Sequence, residues 1–186
     1  MEVMEAIRGR RSVREYAAVP VERAELMALL DAAVQAPSAI NRQSWAFAVI
    51  EDQAVLQRYS EEIKPLVLAA LRSSTLPADF GKTLADPAYH IFHRAPVLIV
   101  IYAKSGDDFA TVDCCLAAQN LLLAAHSRGL GTCWIGLAHG WLNQDSIKDE
   151  LGVPRDWTAV APIIVGHPRG PSPPTPRRPP EIICWK

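Results

Sequence analysis

The sequence lacks a surplus of basic charge. Its 19 lysines and arginines are balanced by 20 aspartates and glutamates, which leaves a net charge of −1. Nucleic-acid-binding proteins usually carry a basic surplus, so we expect no nucleic acid among the partners of this chain. The arginines are nevertheless concentrated near the two ends of the chain, in residues 8–14 and 169–178. These two clusters can converge on one anion in the folded protein.

Cysteine is scarce and does not form the pattern of a disulfide framework. There is no CxxC pair, and each of the four cysteines lies in an apolar stretch: Cys114, Cys115, Cys133 and Cys184. We therefore expect buried, reduced thiols in a cytoplasmic protein. The first residues show no charged segment followed by an apolar run, and the apolar run at residues 97–103 is too short to span a bilayer. These features predict a soluble protein with no membrane partner.

Motifs of the common nucleotide-binding folds are missing as well. Residues 129–136 (GLGTCWIG) resemble a GxGxxG fingerprint, but Trp134 stands in place of the third glycine and the segment follows a predicted helix. The sequence contains no phosphate loop of the Walker type. His90 and His93 are three residues apart, but no further ligands converge on them, so we expect no metal site.

The most informative segment that is present is residues 10–16, RRSVREY. If this segment is extended, Arg10, Ser12 and Arg14 point to one side, and Arg11 and Val13 to the other. Guanidinium groups match phosphate oxygens in a planar geometry with two bonds, and a hydroxyl adds a short donor. The segment therefore predicts an anion site. The alternative is a solvated basic turn after a short helix.

Apolar periodicity predicts a chain of mixed helices and strands. Helices are expected at residues 1–8, 19–34, 52–72 (one or two helices, broken before Pro65), 108–127 and 143–151, the last capped by Asn143. Strands are expected at residues 45–50, 97–102 and 158–165, and a strand-like segment at 129–136; the first two strands should be buried on both faces. Residues 73–86 show no clear period and are the best candidate for a mobile segment.

Residues 36–45 (APSAINRQSW) link a predicted helix to a buried strand and hold small and amide-bearing side chains. Loops of this kind are common ligand sites, although ordinary turn chemistry also accounts for the composition. From residue 167 the chain becomes rich in proline and then ends in the apolar segment 182–185. We predict a domain at residues 1–166 and, at 167–186, a stiff arm that packs on a second copy of the chain; the alternative is a disordered tail.

Four of these segments together resemble the flavin-dependent nitroreductase family: residues 10–14, 36–45, 129–136, and 165–168 followed by 177–179. The resemblance implies an α+β, three-layer fold with a mainly antiparallel central sheet wrapped by helices. It implies a homodimer that holds FMN at the subunit interface, exchanges its C-terminal arm with the partner, and uses NADH or NADPH without a Rossmann domain.

The same resemblance implies the residues that hold FMN. Arg10 and Ser12 are similar to the phosphate ligands of the family, joined by Arg177 or Arg178, and Arg14 is similar to the cation beside flavin N1 and O2. The loop at 36–45 resembles the part of the pocket that the partner subunit supplies. The backbone amides of Ile135 and Gly136 resemble the donors that face flavin N5 and O4 in the family. The full predicted set is Arg10, Arg11, Ser12, Arg14, Pro37, Ser38, Ala39, Asn41, Gln43, Cys133, Trp134, Ile135, Gly136, Arg177 and Arg178.

The implied function is transfer of electrons from NAD(P)H to a small acceptor, such as a nitroaromatic or a quinone, by a ping-pong mechanism. FMN itself would carry the chemistry, so no catalytic side chain is expected. Two departures from the family stand out: Ser44 replaces a frequent proline, and residues 73–89 carry no long helical insertion over the flavin. Alternatives are a non-catalytic flavin- or nucleotide-binding module, and the related flavin chemistries of dehalogenation and flavin fragmentation.

Overall fold

A four-stranded antiparallel sheet forms the centre of the computed structural model, which describes residues 1–71 and 78–186. The strands are β1 (Trp45–Ile50), β2 (Val97–Ala103), β3 (Gly131–Trp134) and β4 (Thr158–Gly166), in the order β1-β2-β4-β3. β2 and β4 lie in the middle, and β2 is buried along its whole length. β-Branched side chains dominate both central strands because they pack well on a covered, pleated surface.

Helices cover both faces of the sheet. They are α1 (Val3–Gly9), α2 (Arg23–Ala33), α3 (Gln53–Leu71), α4 (Ala78–Ala85), α5 (Asp108–Ser127), α6 (His139–Leu142) and α7 (Asp145–Leu151), with short 3-10 helices at Ala39–Asn41 and Gly136–Ala138. One core cluster joins α2 and α5 to one face of the sheet, and a second joins α3, α4, α6 and α7 to the other. The predicted α+β fold with three layers is confirmed.

The long elements agree with the sequence pattern, and the ends of several elements differ from it. α5 and the strands β1, β2 and β4 form where they were predicted. α2 begins only at Arg23, because the backbone before it enters in extended form with Val21 buried. α3 is one helix that continues through Pro65. α4 occupies part of the segment predicted to be mobile, whose residues 73–77 lie outside the described chain.

The prediction that Asn143 caps a helix is wrong. Gln144 is the N-cap of α7, and the Asn143 side chain instead bridges to β4. Its Oδ1 accepts a hydrogen bond from the Ala159 backbone N at 2.8 Å, and its Nδ2 donates to the Ala159 carbonyl at 3.1 Å. Asn143 therefore ties the α6–α7 connection to the central sheet.

The expectation that β1 is buried on both faces is met in part: both faces contact a core cluster, but only Trp45 and Ile50 are fully buried. β1 is an edge strand, so one side of its backbone has no neighbouring strand among the described residues. Ala46, Phe47 and Ala48 are half-buried, and Val49 is exposed. An apolar run identifies a strand, but it does not tell whether another segment covers both of its sides.

α5 is the helix nearest the centre of the molecule. It is long and apolar enough to cross a membrane by length and composition alone, but one side of it packs on α2 and the sheet. The opposite side exposes Phe109, Val112 and Leu116. The expected burial of all four cysteines is wrong, since Cys114 and Cys133 are buried whereas Cys115 and Cys184 are exposed.

Residues 12–16 are attached directly to the sheet. The Val13 N–H donates to the carbonyl of Thr132 in β3 at 2.9 Å. Ser12 forms a parallel bridge with the same residue. The Tyr16 hydroxyl donates to the Val13 carbonyl at 2.7 Å. Gly131 permits this approach, because a Cβ at that position would lie 2.8 Å from the Val13 Cβ.

We predict that Gly131→Ala destabilises the protein by about 1–3 kcal/mol, since the added methyl group overpacks the contact with Val13. Gly140→Ala is the matched control: Gly140 lies in α6 and has no atom within 4 Å of an added Cβ. Alanine there should stabilise the helix by up to about 1 kcal/mol. Urea denaturation of both variants measures the difference, and equal midpoints would contradict the proposed contact.

Candidate functional site

The arginine segment has the alternating geometry that the sequence predicts. Val13 is buried against β3, whereas Ser12 and Arg14 are exposed and Arg10 is half-exposed. The pairing with Thr132 holds the segment in extended form, and Tyr16 closes its far end. Burial raises the pKa of Tyr16, so its hydroxyl stays a neutral donor. Arg10, Ser12 and Arg14 therefore form a fixed row of donors on one side of the segment.

Arg11 points away from this row and serves the fold. Its Nη1 donates to the carbonyl oxygens of Arg8 at 2.7 Å, Gly9 at 2.9 Å and Arg10 at 2.9 Å. The carbonyl groups at the end of α1 lack partners within the helix, and a guanidinium satisfies them and complements the helix dipole. Arg11 also lines the cavity beside this row. Its predicted contact with a cofactor therefore stays a prediction.

A cavity of about 570 Å³ lies beside the arginine row. The C-terminal arm of the same chain forms its second wall, and the lining residues are Arg10, Arg11, Ser12, Val13, Arg14, Glu15, Gly170, Pro171, Ser172, Pro173, Thr175 and Arg177. The two basic clusters of the sequence thus converge, as predicted. Arg177 lines the cavity, whereas Arg178 does not.

The charges of this cavity favour an anion. Four arginines line it, against the single carboxylate of Glu15. Among the described residues, no carboxylate forms a salt bridge with any of these arginines. Guanidinium groups without a carboxylate partner, beside the hydroxyl groups of two serines and a threonine, suit the oxygens of a phosphate group. A volume of this size also lies within the usual range of small-molecule sites.

Arg14 has a second set of neighbours on the side of residues 89–93. Its charge reaches Tyr89, His93 and Cys133. Burial, and then the positive charge of Arg14, lowers the pKa of His93 to about 4, so His93 is neutral at pH 7. The rings of Tyr89 and His93 meet edge to face, with centroids 5.7 Å apart. Arg14 is thus an exposed cation near the uncharged rings of Tyr89 and His93.

The loop at Ser38–Gln43 is strained. Three of its non-glycine residues have positive φ angles: Ile40 (47°), Asn41 (57°) and Gln43 (50°). A positive φ is unusual for a β-branched residue such as Ile40. The Ile40 side chain is also 93% exposed. Residues in such conformations cost of order 1–3 kcal/mol each and persist only where the surroundings enforce them.

Hydrogen bonds hold this loop in its shape. Gln43 N donates to Ser38 Oγ at 3.0 Å, and Gln43 Nε2 donates to Asn41 Oδ1 at 3.1 Å. Ala39 N donates to Asp113 Oδ1 in α5 at 3.1 Å. Of the predicted loop residues, Pro37, Ser38, Ala39, Asn41 and Gln43, none lines the arginine cavity of the same chain.

The predicted donors at the end of β3 have separate environments. Cys133 is buried and Trp134 is exposed. The Ile135 N–H donates to the Pro162 carbonyl at 2.8 Å, so its expected role as a ligand donor does not fit this structure. Gly136 is exposed and begins a short 3-10 helix, where the first N–H groups have no partner within the helix. Gly136 is therefore the better candidate donor.

Several residues of the site escaped the sequence analysis. Ser172 and Thr175 line the cavity, but a proline-rich segment gives no sign of which side chains turn inward. The spacing from His90 indicated His93 only as a possible metal ligand. The described residues contain no group of three or more metal-binding side chains. Asp113 had a usable signal, because it is a carboxylate within an otherwise apolar stretch of α5.

Known proteins resemble the chain over nearly its whole length. The sequence profile of the nitroreductase family matches residues 7–167. A protein of Methanothermobacter thermautotrophicus with the provisional description NADH dehydrogenase/NAD(P)H nitroreductase is 31% identical over 172 residues, which are 90% of this chain and 78% of that protein. The FMN reductase [NAD(P)H] of Bacillus subtilis is 29% identical over 98% of this chain and 72% of its own.

Solved structures resemble the fold just as closely. The crystal structure of a nitroreductase with bound FMN from Bacteroides fragilis matches with a TM-score of 0.83, 25% identity and complete coverage of both chains. The resemblance predicted from the four sequence segments is thereby confirmed. The chain belongs to the nitroreductase family, whose members are oxidoreductases.

Proposed function

We propose that the protein binds FMN and transfers electrons from NADH or NADPH to a small acceptor, such as a nitroaromatic or a quinone, by a ping-pong mechanism. The observation that carries this proposal is the cavity in which arginines from the two ends of the chain meet. Three of them, Arg10, Arg14 and Arg177, form no salt bridge with a carboxylate of the described residues. One compact group of cations suits one terminal phosphate, which FMN has. The FMN named in the similar crystal structure supports the same choice.

The residues of the chain fit this cofactor. Arg10 and Arg177, with the Ser12 hydroxyl, would hold its phosphate, and Arg14 would supply the cation beside the ring edge where reduced flavin gathers negative charge. Gly136 would offer a backbone donor. Bound FMN supplies the redox chemistry itself, so the protein contributes binding, orientation and charge. No specific observation favours dehalogenation, flavin fragmentation or a purely binding role.

A second copy of the chain is the partner that we propose. Exposed apolar side chains include three on α1 (Val3, Met4, Ile7), three on the outer side of α5 (Phe109, Val112, Leu116) and Ile40. The hydrogen bond from Ala39 to Asp113 links the loop of Ile40 to α5. Exposed apolar groups of this kind mark protein contact surfaces. A homodimer would cover them and would bring the loop of one subunit to the flavin of the other.

The C-terminal arm gives this dimer a second contact. Ile182, Ile183 and Trp185 are exposed in the single chain, at 57%, 97% and 86%. The free edge of β1 borders a groove of about 520 Å³ lined by residues 46–50 and by Val153 and Trp157. We propose that residues 182–185 add to this edge on the partner subunit, because strand addition pairs the backbone and buries alternate side chains.

Reduced, free cysteines fit the cytoplasmic location that we also propose.

Catalysis is tested by following the flavin itself. We predict that full-length protein loaded with FMN loses its yellow colour when mixed anaerobically with NADH or NADPH. A nitroaromatic or quinone added afterwards should restore the colour, since the same flavin gives up its electrons in a second step. Bound flavin that neither nucleotide bleaches would contradict the enzyme and favour a non-catalytic binding module.

The phosphate site is tested by two neighbouring arginines. We predict that Arg177→Ala weakens FMN binding by roughly tenfold or more, since it removes a charge-assisted contact from the cavity. Arg178→Ala makes the same change of charge one residue away, outside the cavity, and should bind FMN like the wild type. Flavin titration of both variants gives the two dissociation constants. Equal losses would exclude a specific phosphate contact by Arg177.

The arm is tested by two truncations. A chain that ends at Arg178 keeps Arg177 but loses residues 182–185. We expect the dissociation constant of its dimer to rise roughly tenfold or more, because a buried aromatic anchor is lost from the interface. A chain that ends at Gly170 should lose FMN affinity as well. Sedimentation velocity and flavin titration separate the two effects. A chain ending at Arg178 that dimerises as tightly as the full protein would refute the exchanged arm.

A further inference from the structure

Asp113 is a buried carboxylate that the proposed flavin chemistry does not use. Its exposed fraction is 3%, and it lies in α5 between apolar neighbours. Oδ1 accepts the hydrogen bond from the Ala39 N–H at 3.1 Å. Oδ2 is buried and has no hydrogen-bond partner among the described residues. Asp113 is thus half-satisfied in a place where most carboxylates would carry several bonds.

Such a group is costly to the folded chain. Removing a carboxylate from water is expensive unless cations or several hydrogen bonds compensate for the loss. None of the salt bridges among the described residues includes Asp113. A neutral or apolar side chain of similar size would pack in α5 at a lower cost. The stability of the helix therefore does not explain the presence of an acid there.

What Asp113 holds is the strained loop. Ala39 directly precedes Ile40, the first of the three residues with positive φ. The other hydrogen bonds to the loop backbone come from within the loop, as in the bond from Gln43 N to Ser38 Oγ. Asp113 joins that backbone to the core, and its charge strengthens the bond. Nearby, the Cys114 thiol lies 4.0 Å from the Ser44 carbonyl.

We infer that Asp113 is a positioning residue, which holds the loop at Ser38–Gln43 in the left-handed conformation that meets the flavin of the partner subunit. The inference rests on the proposed function in one respect, which is the placement of this loop at a flavin site. A loop fixed in advance loses less conformational entropy when the ligand binds. The cost of the buried carboxylate would thus be offset by tighter flavin binding.

Two variants and one control test this role. Asp113→Asn keeps an acceptor for Ala39 but removes the charge, and Asp113→Leu removes both. Asp108→Asn makes the same change of charge at an exposed position in the first turn of the same helix. Three quantities are measured: the Tm of the flavin-free protein, hydrogen–deuterium exchange in the peptide containing residues 38–43, and the dissociation constant of FMN.

If Asp113 is a positioning residue, its replacement should lower the affinity for FMN without lowering the Tm of the flavin-free protein. The flavin-free Tm should stay equal or rise in both Asp113 variants, since an unpaired buried charge is removed. Exchange in the loop peptide should become faster, and FMN should bind roughly tenfold more weakly in Asp113→Leu and less weakly in Asp113→Asn. Asp108→Asn should alter neither the exchange nor the affinity. A merely structural acid would instead lower Tm and affinity together.

Besides a joint fall of Tm and FMN affinity, two results would overturn the inference. One is a loop peptide that exchanges at the wild-type rate in both Asp113 variants. The other is FMN affinity in Asp113→Leu equal to that of the wild type. Failure of the wild-type protein to bind FMN is a separate outcome, which would refute the proposed function. Asp113→Asn keeps the experiment decisive if Asp113→Leu does not fold.

Discussion

A short parallel contact between residues 12–13 and Thr132 determines where the charges of this protein lie. The Val13 N–H bonds to the Thr132 carbonyl, and the absence of a side chain at Gly131 lets Val13 pack directly on β3. This contact keeps the arginine segment extended, so that Arg10 and Arg14 line the cavity. Arg11 lines it as well, but its guanidinium Nη1 is bound to the carbonyl groups at the end of α1. The backbone pairing thereby converts a run of like charges into one directed site.

The proposed anion site also depends on the C-terminal arm. Arg169 N donates to the Glu15 carbonyl, and Tyr16 pairs with Pro168, so the arm begins beside the arginine segment. Several of the residues between Pro168 and Arg177 are prolines, whose backbone is restricted even in the unfolded chain. Less conformational entropy is therefore lost when Arg177 reaches the cavity. Net charge gives no hint of this site, because the acids that balance the arginines are spread along the whole chain. In our proposal, the local arrangement of charges rather than the composition creates the affinity for anions.

Much of this arrangement could be predicted from the sequence, because long apolar periods and alternating donors are local signals. α5 and the strands β1, β2 and β4 follow from such periods, and the row of Arg10, Ser12 and Arg14 follows from alternation in an extended segment. Residues whose role depends on distant neighbours could not be predicted. The carbonyl groups bound by Arg11, the bond from Ile135 to Pro162 and the capture of Ala39 by Asp113 each require the folded chain.

The central claim is that the two arginine clusters form a site for a single terminal phosphate carried by a flavin. The most direct test is to release the cofactor from purified full-length protein by heat and to identify it by chromatography. The flavin-free protein is then titrated with FMN and with FAD. The account predicts that FMN is recovered and that FMN binds more tightly than FAD. Recovery of FAD, or a protein that binds neither flavin, would contradict it.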